Sequence, residues 1–347
     1  MIAAASSTAA PSRHPAFSWV DHAPFFQAGL AGYSDRAMRL IARRHGCPFC
    51  ITEAMLDYFL LNGGKGLAAA ELTGEDHPIA GQLMGSHPRD IAQGAKVLVK
   101  LGYDVIDINF GCPVKKIKKK CRGGHLLSNP GDAISILEAV MQAVGGDAPV
   151  SVKMRRGYDD TPEMAANFYR IFEAAIALGV AAVTVHGRTV EQKYLGPARW
   201  PFLADLIRRY HAEMDRGFLI FGSGDVDSPQ AISRMIRETG VSAVSVARGC
   251  IGNPWLFEQA HQLMRGEEVR PPSVREQRRV LLDHFELALD EHGEDVAGRT
   301  MRKFGIKFST HHPEPGVVKE AFIGVKTLAD WKEVLDAHYP LAEPVAV

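Results

Sequence analysis

No apolar run in the chain approaches the roughly 20 residues needed to cross a bilayer, which leaves no candidate for a membrane-spanning helix. Net charge is also lacking: 40 Lys and Arg stand against 40 Asp and Glu. That balance argues against a generally basic nucleic-acid coat, so any contact with a polyanion has to be a local patch. Cysteine is scarce, five residues at irregular spacing. An odd count is not a secreted disulfide framework and points to a reducing cytoplasm. Cys47-Pro48-Phe49-Cys50 has no second CxxC to complete a zinc site, so neither a metal nor a redox role is expected of it. Residues 1–15 are rich in Ala, Ser and Thr but lack the basic and apolar segments of a signal peptide, and they read as a disordered leader.

What is present is an alternation. Short apolar, β-rich runs recur at 25–27, 49–52, 79–84, 105–109, 150–154, 182–186, 218–222 and 243–247. Helix-like segments lie between most of them. Several carry a capping residue and Pro at the start and Gly at the end, as in Asn129-Pro130, Thr161-Pro162…Gly179 and Ser228-Pro229…Gly240. Continuous apolar strands separated by capped helices imply an α/β fold with a parallel sheet covered by helices. Eight such units fit a TIM (β/α)8 barrel better than an open doubly wound sheet, which stays the alternative. Past Leu263 the pattern changes. A polar stretch, 265–273, contains Pro271-Pro272 and reads as a linker, and 274–347 reads as a small all-helical C-terminal domain. The barrel then occupies 16–264.

In such a barrel the chemistry sits at the C-terminal ends of the strands. Polar residues gather there: Gln82; Asn109 and Cys112; Lys153 and Arg155; His186 and Arg188; Ser223, Gly224 and Asp225; Arg248 and Gly249. A set of polar groups on successive strands suits a polar cofactor. The glycine-rich turns at 222–225 and 248–254, with Arg248, are suited to a phosphate. Cys112 follows a buried strand directly, inside Asn109-Phe110-Gly111-Cys112-Pro113, and five lysines follow between 115 and 120. Cys250 reads as a packed small residue.

Together the motifs resemble the tRNA-dihydrouridine synthases over roughly 27–255. The carriers are Ala28-Gly29-Leu30-Ala31-Gly32, Gly81-Gln82-Leu83-Met84-Gly85, Asp107-Ile108-Asn109-Phe110-Gly111-Cys112-Pro113, Val152-Lys153-Met154-Arg155, Val185-His186-Gly187-Arg188-Thr189, Gly222-Ser223-Gly224-Asp225 and Ala247-Arg248-Gly249 through Trp255. The run from Gly111 to Lys116 looks most like the bacterial B-type members. Three places depart from the family pattern: Gly29 and Leu30 replace Pro and Met, Ser223 replaces Asn, and Cys121-Arg122 stand where a small pair is common.

The resemblance implies an FMN barrel with a helical, tRNA-binding C-terminal domain. NADPH reduces FMN, hydride passes to C6 of a uridine in tRNA, and a proton from Cys112 goes to C5, giving 5,6-dihydrouridine. A thiol of ordinary pKa, about 8.5, is protonated near neutrality and can serve as that acid. By the same resemblance Ala28, Gly29, Leu30, Gln82, Lys153, His186, Ser223, Gly224, Asp225, Ala247 and Arg248 are expected at the cofactor, with Lys153 at the flavin N1–C2=O edge and Arg248 at the phosphate. Asn109 and Arg188 are expected at the uracil edge, and Lys115 and Lys116 at RNA phosphates. Arg299, Arg302, Lys303 and Lys307 of the tail are further RNA candidates. No metal, no membrane and a monomer are expected, in the cytoplasm. Two other readings stay open: an FMN barrel acting on a free pyrimidine, like dihydroorotate dehydrogenase, and a non-catalytic RNA-binding protein.

Overall fold

The computed structural model describes residues 14–68, 70–113 and 122–341. Lys115 and Lys116, the remaining lysines of that run, Cys121 and nearly all of the expected leader lie outside them. Eight parallel strands close on one another: β1 (Phe25–Gln27), β2 (Cys50–Ile51), β3 (Ile79–Met84), β4 (Val105–Phe110), β5 (Val150–Arg155), β6 (Ala182–His186), β7 (Leu219–Ser223) and β8 (Ala243–Val246). β8 returns to β1 with Phe25 opposite Val244, and β2 pairs with both β1 and β3. This is the expected (β/α)8 barrel and not an open sheet. A two-residue strand, Met55–Leu56, lengthens the β2 connection against the end of β3.

Side chains alternate between the two faces of a strand, so the register decides which residues meet inside. Ile106, Ile108, Val150, Val152, Val183, Val185, Ile220 and Val244 face outward into the core beneath the helices. The opposite parity fills the barrel. Its lower layers are Phe26, Phe49, Ala80, Val105, Ala182, Leu219, Phe221 and Ala243. Its upper layers, by the same parity, are Gln82, Asp107, Asn109, Ser151, Lys153, Thr184, His186, Ser223 and Ser245. The barrel is apolar below and polar above.

The helices between strands start and stop where local chemistry dictates. Asn129, Thr161 and Ser228 cap theirs by accepting from Asp132, Met164 and Ala231 N–H, and Gly145 and Gly240 end theirs in left-handed conformation. A short 3₁₀ segment, Pro15–Asp21, seals the bottom of the barrel. Trp19 stacks on Phe49 at 5.1 Å and meets Phe26 edge-on at 5.5 Å, while Phe17 reaches Phe221 at 5.9 Å.

The tail consists of helices Val274–His292, Glu294–Phe308, Pro315–Gly324 and Leu328–His338, and its apolar residues Leu281, Phe304, Phe322 and Trp331 join the same core as the barrel helices. The end of the first tail helix grips the start of the first barrel helix, Arg36–Arg44. Glu291 accepts the free N–H groups of Arg36 (3.2 Å) and Ala37 (2.9 Å), Asp290 pairs with the Arg36 guanidinium at 2.7 Å, and His292 meets Asp35 at 3.3 Å. A carboxylate there satisfies donors that a helix start leaves bare. Lys303, one of the residues expected at RNA, donates to the Gly32 carbonyl and lies 5.0 Å from the centre of the Tyr33 ring.

His292 gives this docking a pH dependence. Its hydrogen bond to the Asp35 carboxylate raises its pKa. The associated stability is therefore complete below the unfolded value near 6.5 and is lost as pH rises through the folded value. The urea midpoint of His292→Ala should lie below that of the parent near pH 6 and converge on it by about pH 9. A gap that stays constant over that range would contradict the assignment.

Candidate active site

Cys112 sits just beyond β4, half-buried, and its backbone is held from both sides. Its N–H donates to Asn109 Oδ1 at 3.0 Å, and its carbonyl accepts from Gly124 N at 3.0 Å. Asn109 also accepts from Gly111 N at 2.9 Å, and its amide nitrogen donates to Gln82 Oε1 at 2.6 Å. Gln82 in turn donates to Asp107 Oδ2 at 2.7 Å, and Ser151 donates to Asp107 Oδ1 at 2.6 Å. Asn109 was expected to read uracil and Gln82 to hold the flavin. Each has most of its amide committed to this chain and keeps one N–H free for either task.

Arg155 was seen at a strand end but given no role. Its side chain links the two loops that border Cys112. Nε donates to Gly111 carbonyl at 2.9 Å, and Nη1 donates to the Thr189 and Lys193 carbonyls at 2.8 Å each. The signal available in sequence was parity: Arg155 lies two residues past Lys153 on the inward face.

Arg188 and Asp225 are engaged with each other. Arg188, expected at uracil, and Asp225, expected at the cofactor, pair with each other at 2.6 Å. Arg188 also donates to the Gly196 carbonyl at 2.9 Å, and Asp225 accepts Ala198 N–H at 2.7 Å, so the pair fastens the loops after β6 and β7. Gly224 belongs to the same contact, because a Cβ there would come within 2.6 Å of Ala198 Cβ. Tyr194, unremarked in the sequence, stands 56% exposed on the loop so fastened, with the Arg248 guanidinium 4.6 Å and the Arg155 guanidinium 5.9 Å from its ring centre.

Gly29 explains its own departure from the family pattern. A Cβ at this position would lie 2.2 Å from the Thr52 carbonyl oxygen, so β2 leaves no room for a side chain. Ala28 N–H bonds Val246 carbonyl at 2.8 Å, and Leu30 N–H bonds Ser34 Oγ at 2.7 Å. Ser223 is buried opposite His186, and its hydroxyl points to the Ser245 carbonyl at 3.4 Å. Ala247 and the exposed Arg248 follow β8 directly.

The electrostatics are one-sided. Burial and then Arg155 push the Lys153 pKa down to about 8, and Lys153 makes no hydrogen bond or ion pair among the described residues. The His186 pKa is pushed down to about 2, first by burial and then by Lys153, Arg155, Arg188 and Arg248. His186 is therefore neutral. Its Nδ1 accepts Arg188 N–H at 3.1 Å, which leaves the ring proton on Nε2 as a donor. Arg188 Nη1 is buried without a hydrogen-bond partner among the described residues. Four cations converge against two carboxylates, Asp225 paired with Arg188 and the buried Asp107 acting on Lys153. A phosphate-bearing, electron-accepting ring fits this excess.

Elsewhere, Cys47 and Cys50 are buried with their sulfurs 3.9 Å apart, and Cys250 donates to Ala247 carbonyl at 3.0 Å. Asp35, Glu291 and His292 lie close enough together to chelate an ion, but their groups are engaged at the tail contact described above. No helix among the described residues is long and apolar enough to cross a membrane.

A parallel barrel whose mouth pairs a thiol at one strand end with a convergence of cations defines a TIM-barrel enzyme for an anionic cofactor. Histamine dehydrogenase from Rhizobium sp. 4-9 shares the fold, with a TM-score of 0.52 at 15% identity over 76% of this chain; the chain spans 49% of that enzyme's length. The model of the dihydrouridine synthase family matches residues 26–342. A tRNA-dihydrouridine synthase B of Xanthomonas campestris pv. campestris is 33% identical over 89% of this chain and 92% of its own length. Another of that name, from Pseudomonas aeruginosa, is 34% identical over 80% of each. The chain belongs to the dihydrouridine synthase family, whose members are flavin-dependent oxidoreductases.

Proposed function

We propose that the protein reduces the C5–C6 double bond of uridines in tRNA to 5,6-dihydrouridine, with FMN as its flavin and NADPH as reductant, in the cytoplasm. The observation that carries this reading is Cys112 held by its backbone beside Lys153 and Arg155, in a mouth where the cations outnumber their partners. When bound, FMN supplies the hydride to C6. Lys153 would supply a fixed cation to stabilise negative charge on a reduced ring. Arg248, which lies over the Tyr194 ring and has no ion pair among the described residues, is the candidate for the phosphate, and His186 offers Nε2–H as a neutral donor. Cys112 delivers the proton to C5. Asn109 and Gln82 each present one amide hydrogen to a ring oxygen.

Extruding the uridine costs a few kcal/mol, which stacking and phosphate contacts have to offset. Tyr194, exposed and flanked by two guanidiniums, offers a face for a base, and exposed Arg299, Arg302 and Lys307 on the tail, with Lys115 and Lys116, are candidates for phosphates. Tyr194→Ala should raise KM for tRNA about tenfold, in keeping with the loss of one stacked base, while the rate of flavin reduction by NADPH stays unchanged. An unchanged KM would remove Tyr194 from the RNA path.

The reading is tested by incubating purified protein, expected to be yellow, with NADPH and tRNA from cells lacking dihydrouridine, and counting dihydrouridine by mass spectrometry. A protein that neither carries nor takes up FMN, or that makes no dihydrouridine with it, would sink the proposal. Turnover of free dihydroorotate instead would favour the free-pyrimidine alternative.

A further inference from the structure

The geometry points to Asp107 as a positioning residue: we infer that this buried carboxylate sets the polarity of a hydrogen-bond chain, Asp107–Gln82–Asn109, that holds the backbone of Cys112. The inference about the thiol's purpose rests on the proposed function; the chain itself does not. Asp107 is fully buried and Gln82 is 1% exposed, so the chain is sealed from water at its base.

The orientation of both amides follows from the two ends of the chain independently. At the upper end, two backbone N–H groups, Gly111 and Cys112, converge on one atom of Asn109 at 2.9 and 3.0 Å. Two donors need an acceptor, so that atom is the oxygen, and the Asn109 nitrogen has to face Gln82. The nitrogen needs an acceptor in turn, which fixes the Gln82 oxygen toward Asn109 and the Gln82 nitrogen toward Asp107. Only an acceptor completes the series. Burial raises the Asp107 pKa, while the hydrogen bonds from Ser151 and Gln82 and the nearby Lys153 oppose that shift and favour the ionised form, which has no donor with which to break the series. At the lower end, Asp107 also takes the Ser151 hydroxyl. An amide in place of this carboxylate could turn its NH₂ toward Gln82, reverse both amides in sequence, and leave the Gly111 and Cys112 N–H groups facing another NH₂. A buried unpaired donor is unfavourable enough that the loop carrying the thiol would shift.

The test exchanges the charge. Asp107→Asn leaves one oxygen where two accepted, from Gln82 and from Ser151, so the acceptor toward Gln82 is no longer obligatory, and Gln82→Glu sets two carboxylates against each other. Combining the two substitutions restores the sequence of donors and acceptors, because the carboxylate introduced by Gln82→Glu can accept both from the amide introduced by Asp107→Asn and from Asn109. The first readout needs no turnover: the rate and pH profile of iodoacetamide alkylation at Cys112, resolved by mass spectrometry in the flavin-loaded protein. The second is stopped-flow reoxidation of the reduced flavin by tRNA, read against its reduction by NADPH. Each single variant should change the Cys112 alkylation profile and slow reoxidation by about tenfold or more, the scale expected when a catalytic group is misplaced, and the double variant should return the alkylation profile toward the parent.

If Asp107→Asn does not fold, recovery of soluble, cooperatively melting protein in the double variant supports the same conclusion. Alkylation profiles unchanged in both single variants, or a double variant no better than the worse single, would overturn it. Should the parent protein fail to act on tRNA while the alkylation pattern follows this course, the proposed function falls and the polarity chain stands.

Discussion

Cys112→Ala should lower tRNA-dependent reoxidation of the flavin by about 10²–10⁴-fold, the range over which a positioned general acid contributes, and leave reduction by NADPH at the parent rate. The separation is expected because the sulfur makes no hydrogen bond among the described residues. The loop is held through Cys112 N–H and carbonyl, by Asn109 and Gly124, and by Arg155 on the Gly111 carbonyl. Alanine preserves all three contacts, so the loss reports the missing proton and not a collapsed mouth. Cys112→Ser should fall between the two, since a hydroxyl is a weaker acid in the same position. A Cys112→Ala enzyme that reduces tRNA at near the parent rate would require another acid, and the assignment would be withdrawn.

The largest effect on stability is expected at Asp76. This carboxylate is fully buried and takes Arg39 through both Nε (2.8 Å) and Nη2 (2.6 Å), with Arg43 on its second oxygen at 3.2 Å. Arg39 is itself 7% exposed. Asp76→Ala leaves a buried guanidinium without its partner, which costs about 3–5 kcal/mol. Asp76→Asn, which keeps one acceptor, should cost less. The damage should extend to the mouth. Arg39 Nη1 also donates to the Ser34 carbonyl at 2.8 Å, and Ser34 Oγ holds Leu30 N–H, so the turn expected to floor the flavin loosens with the ion pair. Urea unfolding and flavin titration read the two effects separately. A loss of stability under about 1 kcal/mol would mean that water reaches the site and the pair behaves like a surface one.

The barrel could be read in the sequence because its signals are local. A strand of this fold is a short apolar run, and its helix is bracketed by a cap, a proline and a glycine. Inward parity then brings Gln82, Asn109, Lys153, His186 and Ser223 to one end without any knowledge of their partners. The contacts that set the duty of each residue are not local. Arg155 reaches the carbonyls of Gly111, Thr189 and Lys193, and Arg188 reaches Asp225 across two loops. A residue's type and its strand end show that it is near the mouth, but not whether its charge meets substrate or another loop. Asp107 could have been found: a lone carboxylate within Val-Ile-Asp-Ile, on the same parity as Asn109, is buried by its neighbours and has to be hydrogen-bonded. The aromatic stretch Phe17 to Val20 gave no periodic signal, because a 3₁₀ turn that plugs a barrel follows neither the helix nor the strand repeat.

That plug bears on how the protein is made and how far it can be trimmed. Phe17 and Trp19 are synthesised about two hundred residues before Phe221, against which both pack. The floor of the barrel is therefore closed by a segment that precedes every strand of the wall, only after most of the wall exists, and the plug's aromatic rings have to wait in the nascent chain, a period of exposure in which association with other chains competes. Removing residues up to 22 would open the apolar interior to water at the end farthest from the chemistry.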